Sequence, residues 1–432
     1  MGKFDGKKLL LLGSNVGTLD LIRYARANGA YTIVADNLPL ERSFGKQFSD
    51  ANILISTGDI ERLKNYITKE RIDGVFSGIS EFNLLNAMQL CHDLNLSFYC
   101  TRDQWDSVED KEQFRNRCKV HDVPVPTTFF CGAHWSDEAL KKITYPVIVK
   151  PVDSSASVGI CICRDEKSLL ESIPEAINHS EKGRVIVEEF FEGEEFCAHY
   201  SIANGRVSLA SMDNRVPVAV HDGDVTTVPI ARIYPSSFID EYIRQVNDKM
   251  IDLCQSLRME YGVLFVQGLY SKLKNRFVIF EAGLRCAGEA PYRILEKTNS
   301  VSFMNGFVDY ALLGKVDPFQ CEKNDPYLHG KTACVVSYVS KGGRVGDIIG
   351  FDAVEKEVSS LVDKECRYHV GDTTPSGDTL RQIMLRFVLV CDSKEQMIDD
   401  VERINHLVKV LDDKGDDLCL TFDIRDYFFG KA

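Results

Sequence analysis

The first hundred residues alternate between short apolar runs and stretches with helical periodicity. Lys8 to Leu12 is an apolar run that reads as a buried strand, Gly13 to Gly17 as a turn, Thr18 to Asn28 as a helix and Tyr31 to Ala35 as a second strand. The same alternation gives a helix over Asp59 to Glu70, a strand at Gly74 to Ser77, a helix from Glu81 to Leu94 and a strand near Leu96 to Tyr99. Strands separated by helices predict a parallel sheet covered on both faces, hence a Rossmann-like domain over residues 1–105.

After residue 105 the pattern changes. A charged helical segment from Gln104 to Val120 leads into Asp122-Val-Pro-Val-Pro126, which marks the entry to a second unit. Pro146 to Glu195 reads as strand, small-residue loop, strand, helix and strand, and Gly262 to Glu281 as a hairpin turning at Lys272 to Asn275. The last hundred residues give strands at Thr332 to Tyr338 and, after Gly342-Gly343, up to Ile349. Ser393 with Gln396 then forms a capping-box pattern heading a helix to about Lys409. The predicted organisation is α/β and α+β, with a middle domain over 106–328 containing a smaller lobe at about 120–192, and a small α+β domain over 329–432.

Composition narrows the function. Fifty-one basic against 64 acidic side chains leave a net charge of −13, which argues against nucleic acid and anionic membranes as partners. The polar N-terminus meets only a short apolar stretch, so no membrane anchor and a cytoplasmic location are expected. Fourteen cysteines without a CxxC pair read as reduced thiols, and nine histidines without HxxxH spacing give no zinc motif. Gly13-Ser-Asn-Val-Gly17 with Asp36 resembles a dinucleotide-binding turn, but Asn15 stands where a middle glycine lets a pyrophosphate approach.

Candidate chemistry begins at Tyr145-Pro-Val-Ile-Val-Lys150-Pro151, a strand that presents Lys150 beside the small-residue run Asp153-Ser-Ser-Ala-Ser-Val-Gly159. Backbone N–H groups of such a run can close on phosphate oxygens, so a cation beside it suggests a polyphosphate site. Next comes Val185-Ile-Val-Glu188-Glu189-Phe190-Phe191-Glu192-Gly193-Glu194-Glu195, an apolar strand entering carboxylates and aromatics. Phe280-Glu281-Ala-Gly283-Leu-Arg285 follows the hairpin.

In motif order and spacing this chain resembles the ATP-grasp superfamily of carboxylate-amine ligases over essentially its whole length. The resemblance implies a Rossmann-like lead-in, a two-lobed ATP-grasp domain and a small C-terminal domain, with ATP and Mg²⁺ bound between the lobes. It casts Lys111 and Lys150 as phosphate contacts, and Ser154, Ser155, Ser157 and Val158 as part of a lid loop. Glu188, Glu189 and the Phe191 backbone fall where adenine is read, and Glu195 where the ribose is held. Glu281 and Gln267 fall at the metal, and Arg285, with Lys150, is cast as steadying the transferring phosphoryl group. Two positions depart from the pattern: Gly283 replaces a metal-binding Asn, and Gln267 an acidic ligand.

The activity implied is ADP-forming ligation of a small carboxylate and an amine through an acylphosphate, such as amino-acid ligation or modification of a saccharide or cofactor precursor, with a homodimer as the commonest assembly for such an enzyme. Two alternatives are a nucleotide-binding protein without turnover and a nicotinamide-dependent enzyme using the N-terminal turn. A carbamoyl-phosphate synthase would need two copies of the block, and a biotin carboxylase a lid richer in glycine. Arg293 and the segment His221 to Arg232 are the positional candidates for substrate contact.

Overall fold

The computed structural model describes residues 2–153, 158–219, 228–316, 321–377 and 379–430. Ser154, Ser155, Ser157 and the first part of the His221 to Arg232 segment lie outside these residues.

The N-terminal alternation folds as expected into a four-stranded parallel sheet, ordered Ala51–Leu54, Tyr31–Asp36, Lys8–Leu12 and Gly74–Ser77. Leu9 to Leu12 are fully buried, as an apolar run covered on both faces requires. The edge strand Ala51–Leu54 was not apparent from the pattern, because its residues alternate between partly buried and exposed. The strand expected near Leu96 to Tyr99 is absent. Its apolar residues serve as packing instead: the Tyr99 ring lies 4.9 Å from Phe307 on the Phe303–Leu313 helix and 6.0 Å from Phe76, and its hydroxyl donates to the Leu284 carbonyl at 2.6 Å.

The expected single helix at Gln104 to Val120 is two, Arg102–Glu109 and Lys111–Val120. Asp110 adopts an extended backbone and its side chain accepts from the N–H groups of Glu112 and Gln113, capping the second helix and breaking the first. The break sets Glu109 and Lys111 on either side of a corner.

Three antiparallel sheets follow, the least of them Thr373–Thr374, Gly343–Ile349 and Lys409–Asp412, which holds the strand expected up to Ile349. Of the other two, the smaller is ordered Thr128–Gly132, Val185–Glu189, Val147–Pro151 and Cys161–Cys163, with helix Glu166–Asn178 packed on it. The larger runs Arg276–Gly283, Tyr261–Ser271, Glu194–Ala203, Arg206–Val218, Val228–Tyr234, Thr332–Ser340, Ile383–Cys391 and Leu361–Cys366. Thr332–Ser340 pairs directly with Val228–Tyr234, so the large sheet continues across residue 329 without a break. Helix Lys394–Leu407 begins where expected, with Ser393 accepting from the Gln396 N–H at 3.1 Å. The Gln396 side chain accepts from Asp392 rather than closing the box on Ser393.

Candidate nucleotide and metal site

Lys150 and Glu188 sit on adjacent antiparallel strands. Ile148 pairs with Glu188 and Lys150 with Ile186, so the two side chains are diagonal neighbours on one face. Lys150 Nζ lies 2.7 Å from Glu188 Oε2, and both residues are buried. Arg115 completes the cluster, with Nε donating to Glu188 Oε1 at 2.5 Å and Nη2 to Oε2 at 3.2 Å. Arg115 had not been singled out, although it lies one turn beyond Lys111, on the same helix face at i+4. Burial opposes ionisation of Glu188, but the Arg115 and Lys150 charges prevail and hold its pKa down to about 2. Burial lowers the Lys150 pKa; Glu188 opposes that shift, while Arg115 and Lys111 reinforce it.

The second part of the site depends on a β-bulge. Counting from the hairpin turn, Gly268 pairs with Ile279, but the register then slips by one, so Gln267 pairs with Glu281 rather than Phe280. The slip puts the two metal candidates directly opposite one another. It also frees the Phe280 carbonyl, which accepts from Arg115 Nη2 at 2.7 Å, and brings the Phe280 ring to 5.8 Å from Lys150 Nζ. One bulge therefore serves both halves of the site.

Gly283 lies two residues beyond Glu281 on the same face, opposite Phe265. A Cβ there would stand 2.5 Å from the Phe265 ring and 3.0 Å from Glu109 Oε1, so the space that an Asn side chain would occupy is already filled. Arg285 lies over the same ring at 5.1 Å from its centroid and reaches Glu81 at 3.5 Å. Burial would lower its pKa, but Glu109, Glu81 and Glu281 raise it. Burial in turn pushes the Glu109 carboxyl up to about 8; Glu81 and Glu281 add to the rise, and Arg285 and Lys111 resist it. Lys111, buried at the head of its helix, stands two residues from Glu109 and one turn before Arg115, and so between the two clusters along the chain.

The remaining candidates have partners of their own. Glu189 accepts from Arg276 at 2.7 Å and from the Thr127 N–H at 3.0 Å, and the buried Phe191 ring carries Arg276 and Lys274 at 5.2 Å each. Glu195 pairs with Arg215 at 2.7 Å. Val158 is 46% exposed. Arg232, at the described end of the substrate-contact segment, is buried between Asp213 and Glu289, both at 2.8 Å. Arg293 is spent elsewhere, pairing with Asp20 at 3.1 Å and with Asp363.

Two other readings meet the geometry. The buried Asp36 carboxylate is held by Ser43 at 2.6 Å and Lys46 at 2.9 Å rather than presented to a ribose. Cys197, His199 and Asp213, invisible as a spacing motif, converge with ligand atoms within 4.8 Å of one another, but Asp213 is already paired with Arg232.

Comparison with known proteins bears on the whole arrangement. Residues 127–222 match the family described as the D-ala D-ala ligase C-terminus. The carbamoyl phosphate synthase large chains of Clostridium perfringens and Methanosarcina barkeri are 23% and 26% identical to 67% of this chain. The chain spans 28% of the length of each. Among solved structures, the L-amino acid ligase of Bacillus licheniformis superposes with a TM-score of 0.75 at 15% identity, covering 94% of this chain and 99% of its own. The biotin carboxylase domain of Hydrogenobacter thermophilus 2-oxoglutarate carboxylase, solved with MgADP, superposes at 0.76 and 15% identity, covering 98% of this chain and 95% of its own. The chain has the ATP-grasp fold. The smaller sheet, the larger sheet and the Lys111–Val120 helix meet where Arg115 bonds both Glu188 and the Phe280 carbonyl and Lys150 lies by the Phe280 ring. Among the described residues, no helix is long and apolar enough to cross a membrane.

A magnesium ion fits the residues present. Glu281 and Gln267 are directly opposite residues on one strand pair, Gln267 has a carbonyl oxygen to offer, and Mg²⁺ needs only one or two carboxylates when phosphates and water complete its octahedron.

Proposed function

We propose that the chain is an ADP-forming ligase that joins a small carboxylate to an amine, such as an amino-acid ligase or one modifying a saccharide or cofactor precursor. The observation that carries this reading is the juxtaposition of a buried cationic cluster, Lys150 with Arg115, and a carboxylate-rich one around Glu281, with Lys111 between them. A nucleoside triphosphate with its metal carries the complementary charges.

In this reading Lys111 and Lys150 hold the phosphates, Glu189 and the Phe191 backbone meet the adenine, and Glu195 meets the ribose. Glu188 acts through Lys150 and Arg115, because both its carboxylate oxygens are committed to them. Glu281 and Gln267 hold Mg²⁺, whose chemistry is to neutralise charge on the phosphates. The substrate carboxylate attacks the γ-phosphorus as the bond to the ADP oxygen breaks, and Arg285 and the lysines neutralise charge on the transferring group. The amine then attacks the acyl carbon, phosphate departs and the amine proton is lost. Ser154, Ser155, Ser157 and Val158 are assigned to the part of the sequence that keeps water from hydrolysing the acylphosphate.

The proposal includes a Rossmann-like domain over 1–105, the ATP-grasp domain over 106–328 with its lid lobe at about 120–192, and a C-terminal domain over 329–432. Its setting is a cytoplasmic homodimer, supported as to compartment by fourteen free thiols. ADP and phosphate released only when both a carboxylate and an amine are supplied is the expected result; AMP as product contradicts the mechanism. A binding protein without turnover is favoured by Gly283 and Gln267, and ATP-dependent thermal stabilisation without hydrolysis across a broad panel of acids and amines would establish it.

A further inference from the structure

We propose that Glu109 supplies the metal ligand lost at position 283, so that the metal is held by Glu281, Gln267 and Glu109. The inference rests on the nucleotide and metal reading above and names a ligand from outside the hairpin.

Three observations carry it. First, Glu109 Oε1 lies 3.0 Å from where a Cβ at Gly283 would stand, so this carboxylate occupies the neighbourhood into which an Asn would project. Gly283 is on the same strand face as Glu281, and Glu281 faces Gln267, so a side chain entering there joins the same set of oxygens. Second, Glu109 Oε1 is buried and accepts no hydrogen bond, whereas a buried carboxylate oxygen ordinarily finds a donor or a cation. Third, the position is rigid. Trp105 and Val108 anchor the short helix in the core, and the Asp110 cap fixes its end beside the Arg276–Gly283 strand.

The exchange balances chemically. An acidic ligand is lost at Gln267 and a neutral oxygen at Gly283, while one carboxylate is gained from Glu109. Glu281 and Glu109 together then give the one or two carboxylates that Mg²⁺ takes beside phosphates and water. The Phe265 ring, which fills the remaining space over Gly283, keeps an Asn from returning without a second change.

The test is Mn²⁺ binding, followed by electron paramagnetic resonance in the presence of ADP, for the wild type and Glu109→Gln. The expected result is at least the roughly tenfold loss of Mn²⁺ affinity that even outer-sphere partners of metal ligands produce, with ADP affinity in EDTA unchanged. Unchanged Mn²⁺ affinity in the variant, with ADP bound normally, overturns the Glu109 assignment and leaves the nucleotide site standing. A wild type that binds neither ADP nor Mn²⁺ overturns both. Should Glu109→Gln fail to fold, anomalous scattering from a wild-type crystal with ADP and Mn²⁺ decides the matter. A peak at about 2 Å from a Glu109 oxygen supports the assignment, and a peak bonded to Glu281 but not Glu109 overturns it.

Discussion

Across Lys111, two charged clusters are balanced in opposite directions. Around Glu188, two cations surround one carboxylate whose oxygens are both taken, leaving one positive charge in excess. Around Arg285, one cation stands among Glu81, Glu109 and Glu281, and Glu109 keeps an oxygen without a partner. In the first cluster both carboxylate oxygens are taken while Arg115 Nη1 stays buried without a hydrogen-bond partner, so it is short of an anion; the second lacks a cation. Their separation by a single helix corner is what makes the pair suited to a polyphosphate carrying its metal.

The contrast breaks most sharply at Glu188. Glu188→Ala strands Arg115 and Lys150 as buried, uncompensated charges and is expected to cost about 3–5 kcal/mol, read as a shift in the urea midpoint. A loss below about 1 kcal/mol would mean that water reaches the cluster and that it is not preassembled.

The clusters also predict opposite pH responses in metal-free protein. Glu188 titrates lower in the folded state, so its contribution is present above the ordinary value near 4.5 and is lost as pH falls toward about 2. Glu109 titrates higher, so its contribution is present below about 4.5 and is lost as pH rises toward about 8, against Arg285 and Lys111 and with Glu81 and Glu281. The size is a few kcal/mol, at roughly 1.4 kcal/mol per pKa unit. Denaturant midpoints measured in EDTA from pH 5 to 8 are expected to fall in the wild type and to flatten in Glu109→Gln; parallel slopes would contradict the difference between the clusters.

Smaller effects sharpen the picture. Gly283→Asn must displace the Phe265 ring and is expected to destabilise by about 1–3 kcal/mol, in calorimetric melting. Arg276→Ala removes a pair with Glu189 in which the arginine is 41% exposed, so less than about 1 kcal/mol is expected, while the KM for ATP rises if Glu189 faces adenine.

Much of this arrangement was legible in the chain. Apolar runs gave the parallel strands, and Lys150 and Glu188 read as strand residues, but only the register Ile148 with Glu188 puts the two on one face. The rest depended on long-range events. The bulge at Phe280 shifts Glu281 opposite Gln267, where counting from the turn would have put Phe280. Asp110 breaks what reads as one charged helix, and only the assembled sheet brings Glu109 to Gly283. Leu96 to Tyr99 looked like a strand because rings that pack between the parallel sheet and the Phe303–Leu313 helix are as apolar as rings in a sheet.

The central claim, one site with an anion side and a cation side, is tested most directly by calorimetric titration of ADP into the wild type with Mg²⁺ and with EDTA. The expected result is binding in both, tighter by about tenfold or more with Mg²⁺. Equal affinity would contradict the cation side, and absence of binding in both would contradict the site itself.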